Sequence, residues 1–234
     1  MIQRDVIVAC DFPTLRQTTQ FLDLFTDEKP FLKIGMELYY GDGAEAVREL
    51  KRRGHRIFLD LKLHDIPNTV RRTMSVLSHL DIDMCNVHAA GTAAMMRAAV
   101  EGATREDGTR PLIVAVTQLT STSEDTMRSE LLIDTSIGDC ITRYAMNARA
   151  AGLDGVVCSP LEASAIKDAC GETFLTVTPG VRFTDSTADD QSRTASPAMA
   201  RELGSDFIVV GRPITAATDP VQAYRRCLSD FLQL

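Results

Sequence analysis

The segment LDLKLHDIPNTV, residues 59–70, carries the densest group of charged side chains that could do chemistry. Asp60 and Lys62 lie two residues apart, so in a β-strand both point to the same side, while the leucines between them point to the other. Lys33 lies in a second apolar run, FLKIGM, and Asp65 follows Lys62 closely. Buried charges are unfavourable unless paired and hydrogen-bonded. A structural salt bridge needs no second lysine, so we favour a preorganised electrostatic array.

A second group of residues could bind an anion. The apolar runs FLTVTPG and DFIVVGR lead to Gly180 and Gly211, where backbone amides can approach a phosphate. Arg212 offers a planar fork of donors to phosphate oxygens, and Pro213 suits the first turn of a helix. The alternative is an ordinary tight turn that carries a surface arginine.

These residues lie on apolar runs that alternate with helical patterns along the whole chain. The runs rich in β-branched residues are 6–12, 31–36, 56–63, 83–89, 111–119, 154–160, 174–180 and 206–212. Helix starts are indicated at Ser159-Pro160, Ser196-Pro197 and Asp219-Pro220. The alternation predicts an α/β fold, a single (β/α)8 TIM barrel over residues 1–234, with an open doubly wound sheet as the alternative. In such barrels the active site forms at the carboxyl ends of the strands, where these charged residues lie.

Two polar stretches interrupt the alternation. Residues 120–140 predict a loop with a short extra helix. Residues 181–195 follow the seventh strand and lack apolar periodicity, so we expect a mobile lid loop on the phosphate side of the site.

Composition excludes several classes of protein. A length of 234 residues is close to the roughly 250 typical of one TIM barrel. The net charge of −7, without a basic run, argues against nucleic-acid binding. No stretch approaches the ~18 apolar residues of a membrane span, and the first residues lack a signal-peptide pattern, so a soluble cytoplasmic protein is expected. The 6 cysteines form no C-x-x-C pair, which indicates buried thiols, and no metal site is expected.

The segment around Lys62, with its Asp-x-Lys-x-x-Asp core, resembles the signature of orotidine 5′-monophosphate decarboxylases. The segments CDFP, FLKIGMELYY, NVHAAG, VTQLTS, VTPGVR, DQSR and VVGRPIT resemble family segments in the expected order. The resemblance covers essentially the whole chain and is bacterial in type. Cys10 stands where leucine is usual and Val181 where isoleucine is usual, and neither departure touches the chemistry.

The resemblance implies decarboxylation of orotidine 5′-monophosphate to uridine 5′-monophosphate in de novo pyrimidine biosynthesis, without a cofactor. It implies that Lys62 stabilises and protonates a C6 carbanion, that Asp60 lies beside the substrate carboxylate, and that Lys33 links the array to the ribose. Asp65 and Thr69 would reach the site from the other subunit of a homodimer. The other implied substrate contacts are Asp11 to the ribose, Thr120 near the base, and Arg182, Gln191, Gly211 and Arg212 to the 5′-phosphate.

Two other functions stay open at this point. Metal-dependent 3-keto-sugar-phosphate decarboxylases resemble this chain in the Asp-x-Lys-x-x-Asp core, but they place an acidic Mg²⁺ ligand at the end of the second strand. Here that position holds Lys33, which would repel the ion. A catalytically silent nucleotide-binding barrel is the second alternative, and the intact set of Lys33, Asp60, Lys62 and Asp65 argues against it.

Overall fold

Each of the eight predicted apolar runs forms a parallel strand, and the last strand pairs with the first. A computed structural model of the chain describes residues 4–183 and 195–233. The strands are β1 Asp5–Ala9, β2 Phe31–Ile34, β3 Ile57–Leu63, β4 Met84–His88, β5 Leu112–Val116, β6 Gly155–Val157, β7 Leu175–Thr178 and β8 Phe207–Val210. The predicted (β/α)8 barrel is confirmed, and the open sheet is wrong because β1 and β8 are not edges.

Helices connect successive strands and cover the outside of the barrel. They are α1 Leu15–Leu22, α2 Met36–Arg52, α3 Pro67–Ser78, α4 Thr92–Ala103, α5 Glu124–Ser129, α6 Ile137–Ala150, α7 Ala163–Cys170, α8 Pro197–Glu202, α9 Arg212–Thr215 and α10 Pro220–Leu232. The predicted caps are confirmed at Ser196 and Asp219, whose side chains accept from backbone amides of α8 and α10. The predicted capping box at Ser159 is also present, but it opens a 3₁₀ turn, Pro160–Glu162, that leads into α7. The extra helix expected within residues 120–140 is α5.

The barrel interior is filled by side chains that alternate with those facing the helices. On β1, Ile7 and Ala9 belong to the interior cluster, whereas Val6 and Val8 pack towards the helices. In a chain without tryptophan, phenylalanines fill much of the interior, and the rings of Phe31 and Phe207 meet edge to face at 6.2 Å. A cavity lies beyond this packing, towards the carboxyl ends of the strands.

A repeated contact ties the strands together at their amino-terminal ends. Asp83, Asp154 and Asp206 directly precede β4, β6 and β8, and each carboxylate accepts from a backbone amide of the preceding strand. Each also pairs with a cation: Asp83 with Lys51 at 2.9 Å, Asp154 with Arg110 at 2.9 Å and Asp206 with Lys167 at 2.6 Å. We call these three arrangements the aspartate clamps. They satisfy backbone groups where the strands enter the barrel.

Three further predictions from the sequence concern the cysteines, membrane spans and the lid loop. All six cysteines are buried and unbridged, as predicted. Among residues 4–183 and 195–233, no helix is both long enough and apolar enough to cross a bilayer. The predicted lid loop lies outside the described residues except for 181–183 and 195, so Gln191 is not described.

Candidate active site

Four charged side chains form a continuous chain of ion pairs at the carboxyl ends of β1, β2 and β3. The Lys62 Nζ lies 2.6 Å from one oxygen of Asp60, and the Lys33 Nζ lies 3.5 Å from the other. The Lys33 Nζ also lies 2.8 Å from Asp11 Oδ1. Asp60 is buried, with only 8% of its surface exposed, so the two ammonium groups replace its solvent. The structure therefore brings together four of the predicted site residues.

The surroundings keep both central groups of this array ionised. Burial alone would raise the pKa of Asp60, but Lys33, Lys62 and the hydrogen bonds from Lys62 and Asn86 outweigh it and lower the pKa below its usual 3.8. Burial alone would lower the pKa of Lys33, but Asp60 and Asp11 outweigh it and raise the pKa above 10.5. Asp60 and Lys33 are therefore both charged at neutral pH.

Strand β3 is not the regular strand that the sequence predicted. Lys62 has φ 52, in the left-handed region, which costs a residue with a Cβ about 1–2 kcal/mol. The pairing of β3 with β4 shifts register between Leu59 and Leu63. Asp60 and Lys62 do reach the same centre, as predicted, but through this bulge rather than by simple alternation.

Asn86 on β4 is a site residue that sequence reasoning missed. Its Nδ2 donates to Asp60 Oδ1 at 2.7 Å, and its Oδ1 accepts from the backbone amide of Lys62 at 2.8 Å. Only 1% of its surface is exposed. The available signal was an asparagine inside the buried apolar run DMCNVHA, because asparagine is depleted in strands and a buried amide needs partners.

A cavity of about 190 Å³ lies above the charge array. Lys33, Asp60 and Lys62 form its charged part, and Thr120 lies in its wall. The other lining residues are Phe58, Gln118, Leu119, Val157, Cys158, Pro179 and Val209. A largely apolar space with charge concentrated at one end suits a small ligand that reacts at a charged group.

Asp65 and Thr69 do not join this cluster within the chain. Both are exposed, and they line a second cavity that touches the first only through Lys62. Asp65 Oδ1 accepts from the backbone amide of Ile66 at 2.6 Å. The two residues therefore face outwards from the barrel beside Lys62.

The predicted anion-binding residues lie where β7 and β8 end. Gly211 precedes α9, which begins at Arg212. Arg212 lines a cavity together with Phe183 and Arg226, and the Arg226 guanidinium lies 4.4 Å from the centre of the Phe183 ring. The segment that carries Arg182 is held to residue 195 by a backbone hydrogen bond of 3.0 Å. Gln191 lies outside the described residues.

Two further chemical features bear on the site. The pKa of His88, at the end of β4, is lowered mainly by burial and further by His64 and Lys62. The centre of the His88 ring lies 5.7 Å from that of the His64 ring.

In the part of the chain that the structure describes, no group of three or more histidine, cysteine, aspartate or glutamate side chains could hold a metal ion.

Comparison with known proteins places this site in a family. The family model described as Orotidine 5′-phosphate decarboxylase / HUMPS family matches residues 4–227. This chain belongs to that family. It is 50% identical over 227 residues to the orotidine 5′-phosphate decarboxylase of Bacillus cytotoxicus, covering 96% of this chain and 95% of that protein. The family resemblance read from the sequence is confirmed.

Two solved structures of similar proteins agree with the fold. The crystal structure of orotidine 5′-phosphate decarboxylase from Lactobacillus acidophilus matches with a TM-score of 0.88 and 40% identity, covering 98% of this chain and 99% of that one. The crystal structure of an uncharacterized conserved protein from Geobacillus kaustophilus matches with a TM-score of 0.87 and 45% identity, covering 97% and 99%. The likeness therefore extends over the whole barrel.

Proposed function

We propose that this chain decarboxylates orotidine 5′-monophosphate to uridine 5′-monophosphate in de novo pyrimidine biosynthesis. The observation that carries the proposal is the Asp60 carboxylate held between the Lys33 and Lys62 ammonium groups at the charged end of an otherwise apolar cavity. Relatives named for this activity share half of the sequence over nearly the full length. The family's metal-dependent branch is a weaker fit, because Lys33 occupies the position where those enzymes need an acidic ligand.

Lys62 performs the chemical step in this proposal. When the C6–carboxylate bond breaks, CO₂ leaves and the electron pair stays on C6, where the pyrimidine ring cannot delocalise it. The Lys62 ammonium stabilises this charge and then transfers its proton to C6. One ammonium about 4 Å from a unit negative charge contributes about 4 kcal/mol at an effective dielectric of 20. A very slow uncatalysed reaction requires well over 10 kcal/mol, so other binding interactions must contribute.

Asp60 and Lys33 prepare Lys62 for this step. Asp60 lies beside the position of the substrate carboxylate, and its 2.6 Å contact with Lys62 Nζ supports a role in aiming the ammonium at C6. Lys33 joins Asp60 to the more exposed Asp11, which would bind the ribose hydroxyls. Because the array is preorganised, it does not have to reorganise when charge develops.

The rest of the substrate would extend from this array towards β7 and β8. Thr120, in the cavity wall, would contact the base. The 5′-phosphate would bind at the barrel end where TIM barrels frequently bind phosphate, with help from the amides at the start of α9. The proposed phosphate-binding residues are Arg182, Gln191, Gly211 and Arg212.

We further propose that the enzyme is a homodimer in which Asp65 and Thr69 complete the partner's active site. Both residues are exposed beside Lys62, and the neighbouring Tyr40 and Ile66 are 73% and 67% exposed. Large exposed apolar side chains next to a charged residue of the reaction suit an interface. A two-fold axis would make the two sites equivalent.

Mixing two inactive variants tests the shared site. Lys62→Ala and Asp65→Asn homodimers should each be nearly inactive. After unfolding, equal mixing and refolding, about half of the dimers are mixed, and each has one site with both residues intact, so roughly a quarter of wild-type activity should return. If Asp65 serves its own subunit, every site keeps one lesion and mixing recovers nothing. Mass measurement of mixed dimers controls for failed reassociation.

The activity itself is tested by following the absorbance of orotidine 5′-monophosphate in the presence of a strong chelator. Turnover should survive chelation, because the site relies on ammonium groups. Loss of turnover that Mg²⁺ restores would favour the metal-dependent branch of the family. Binding of the nucleotide without turnover would favour a catalytically silent barrel.

We also propose that the enzyme works in the cytoplasm. All six cysteines are unbridged and buried. Unpaired thiols suit a reducing compartment, where disulfides rarely persist.

A further inference from the structure

Asn86 faces a widened part of the β3–β4 pairing. Leu59 pairs with Cys85, and the next pair is Leu63 with Val87. Residues 60–62 of β3 therefore lie opposite Asn86 alone on β4. A bulge of this kind removes backbone groups from the regular ladder, so they need partners elsewhere.

Asn86 supplies the partner that the bulge removes. Its Oδ1 accepts from the backbone amide of Lys62, the residue with φ 52. This acceptor stands in for a ladder carbonyl and holds the Lys62 backbone in the left-handed conformation. Because Asn86 is 1% exposed, water does not reach the position to replace it.

The other end of the same amide holds Asp60. Since Oδ1 of Asn86 accepts from a backbone amide, its NH₂ group faces the carboxylate and donates to Asp60 Oδ1. That oxygen also accepts from Lys62 Nζ at 2.6 Å, and the other oxygen faces Lys33. One side-chain amide thus joins the backbone of one reacting residue to the carboxylate that aims its side chain.

We propose that Asn86 is a positioning residue that fixes both the Lys62 ammonium and the Asp60 carboxylate for decarboxylation, through its two hydrogen bonds. The inference rests on the proposed function. Aspartate at this position could accept from the Lys62 amide but, when ionised, could not donate to Asp60 and would repel it. Alanine could do neither. The two substitutions therefore separate the two halves of the role.

Asn86→Ala is the first test, measured by kcat and by the Kd of the product, uridine 5′-monophosphate. A displacement of the ammonium by about 1 Å should lower kcat about 100-fold, while the product Kd stays within about threefold of wild type. A second readout is exchange of the product C6 proton in D₂O. There the free-amine form of Lys62 takes the proton from C6, the resulting ammonium exchanges a proton for a deuteron with the solvent, and that deuteron returns to C6. This exchange should slow with kcat, because it needs the same geometry without a substrate carboxylate.

Asn86→Asp adds a readout that a purely structural role would not produce. Two adjacent carboxylates raise the pKa of one of them, so the introduced group should bind a proton as the pH falls. The protonated form donates to Asp60 again. The variant should be about 100-fold slower than wild type near pH 8 and recover part of that loss towards about pH 5, a change in profile that wild type lacks.

Thr176→Val is the matched control. It removes a buried hydroxyl at the opposite end of the barrel, where the Thr176 side chain donates to the carbonyl of Gly204 at 2.9 Å. It should lower Tm and leave kcat unchanged.

Asn86→Ser serves as a further variant if Asn86→Ala does not fold. The proposal is overturned if the folded variants keep kcat within about threefold of wild type, if product binding weakens in parallel with kcat, or if no variant folds. Wild-type protein without turnover would overturn the proposed function and this inference together, whereas active wild type with an unaffected Asn86→Ala overturns the inference alone.

Discussion

The two ends of the barrel use the same residue types in opposite ways. At the carboxyl ends of the strands, two ammonium groups converge on the single buried carboxylate of Asp60. At the amino ends, each aspartate clamp gives one carboxylate one cation and a backbone amide of the neighbouring strand. The charged side chains Lys33, Asp60 and Lys62 at the carboxyl end line the cavity, whereas the clamp carboxylates bind backbone amides.

The difference shows how to separate a reactive ion cluster from a structural one. In each clamp a backbone amide of the preceding strand and a cation bind the carboxylate, so those carboxylates hold strands in place. In the array around Asp60, by contrast, side-chain groups line the cavity, and the backbone amide of Lys62 donates to Asn86. We therefore expect substitutions at one end to affect turnover and substitutions at the other to affect the free energy of unfolding.

Replacing Lys62 should have the largest effect. Lys62→Ala removes both the charge that stabilises the carbanion and the proton donor, so kcat should fall by about 10⁴-fold or more. The free energy of unfolding, measured with denaturant, and the product Kd should change little. Turnover within about tenfold of wild type would show that another group does the chemistry.

Replacing Asp206 should have the opposite signature. Asp206→Ala leaves the buried Lys167 ammonium without its carboxylate and should lower the free energy of unfolding by about 3–5 kcal/mol. The kcat of the folded fraction should be unchanged. Asp83→Ala is the matched control, because its side chain is 32% exposed against 12% for Asp206, so water can replace more of the lost contacts. Equal costs at the two positions would contradict the importance of burial.

Replacing Arg212 tests whether phosphate binding and the chemical step depend on different residues at the carboxyl end of the barrel. Arg212→Ala should lower kcat/KM roughly 30- to 150-fold, because a charge-assisted contact to the 5′-phosphate is lost. This corresponds to a loss of about 2–3 kcal/mol in transition-state stabilisation. Free guanidinium ion should restore part of the rate. An unchanged kcat/KM would mean that the phosphate binds elsewhere.

The smallest predicted effect is a pH dependence of stability from one histidine at each end. Burial is the main cause that lowers the pKa of both His55, at the amino end, and His88, at the carboxyl end. Because the pKa of each ring is lower in the folded protein than its usual 6.5, the stability that the neutral rings contribute is fully present above pH 6.5. This contribution is lost as the pH falls through the lowered pKa values of the folded protein. Each ring changes the free energy of unfolding by at most about 1.4 kcal/mol per pH unit.

Denaturant unfolding at several pH values between about 7 and 5 checks this dependence. His55→Gln and His88→Gln should each flatten the slope, and the exposed His79→Gln serves as the control. A slope that survives both substitutions would assign the acid sensitivity to other groups.

The strands were predictable because buried parallel strands are continuous apolar runs. The predicted run 111–119 nevertheless extends beyond β5, which ends at Val116. Apolar side chains such as Leu119 continue into the loop to line the cavity, so their pattern does not mark where pairing stops. The aspartate clamps also had a visible signal, since an aspartate opens each of the runs that became β4, β6 and β8.

The site was predictable in its residue types but not in its backbone. Spacing identified Asp60 and Lys62, yet the left-handed Lys62 depends on how β3 and β4 pair, which one strand's sequence does not encode. Asn86 was missed for the same reason, because its role is to fill the gap that this pairing leaves. Asp65 and Thr69 face outwards, so their part in the reaction depends on a second molecule.

The pairing of β1 with β8 also constrains how this protein is made. Asp5 pairs with Phe207, so the barrel cannot close until nearly the whole chain has left the ribosome. Until then β1 exposes an unpaired edge, a site for wrong pairing with other nascent chains. Closure is also the step that brings the carboxyl end of β1 beside that of β8, where Val8 pairs with Val210. Nascent chains truncated before β8 should therefore lack the complete nucleotide site, however well their earlier strands have formed.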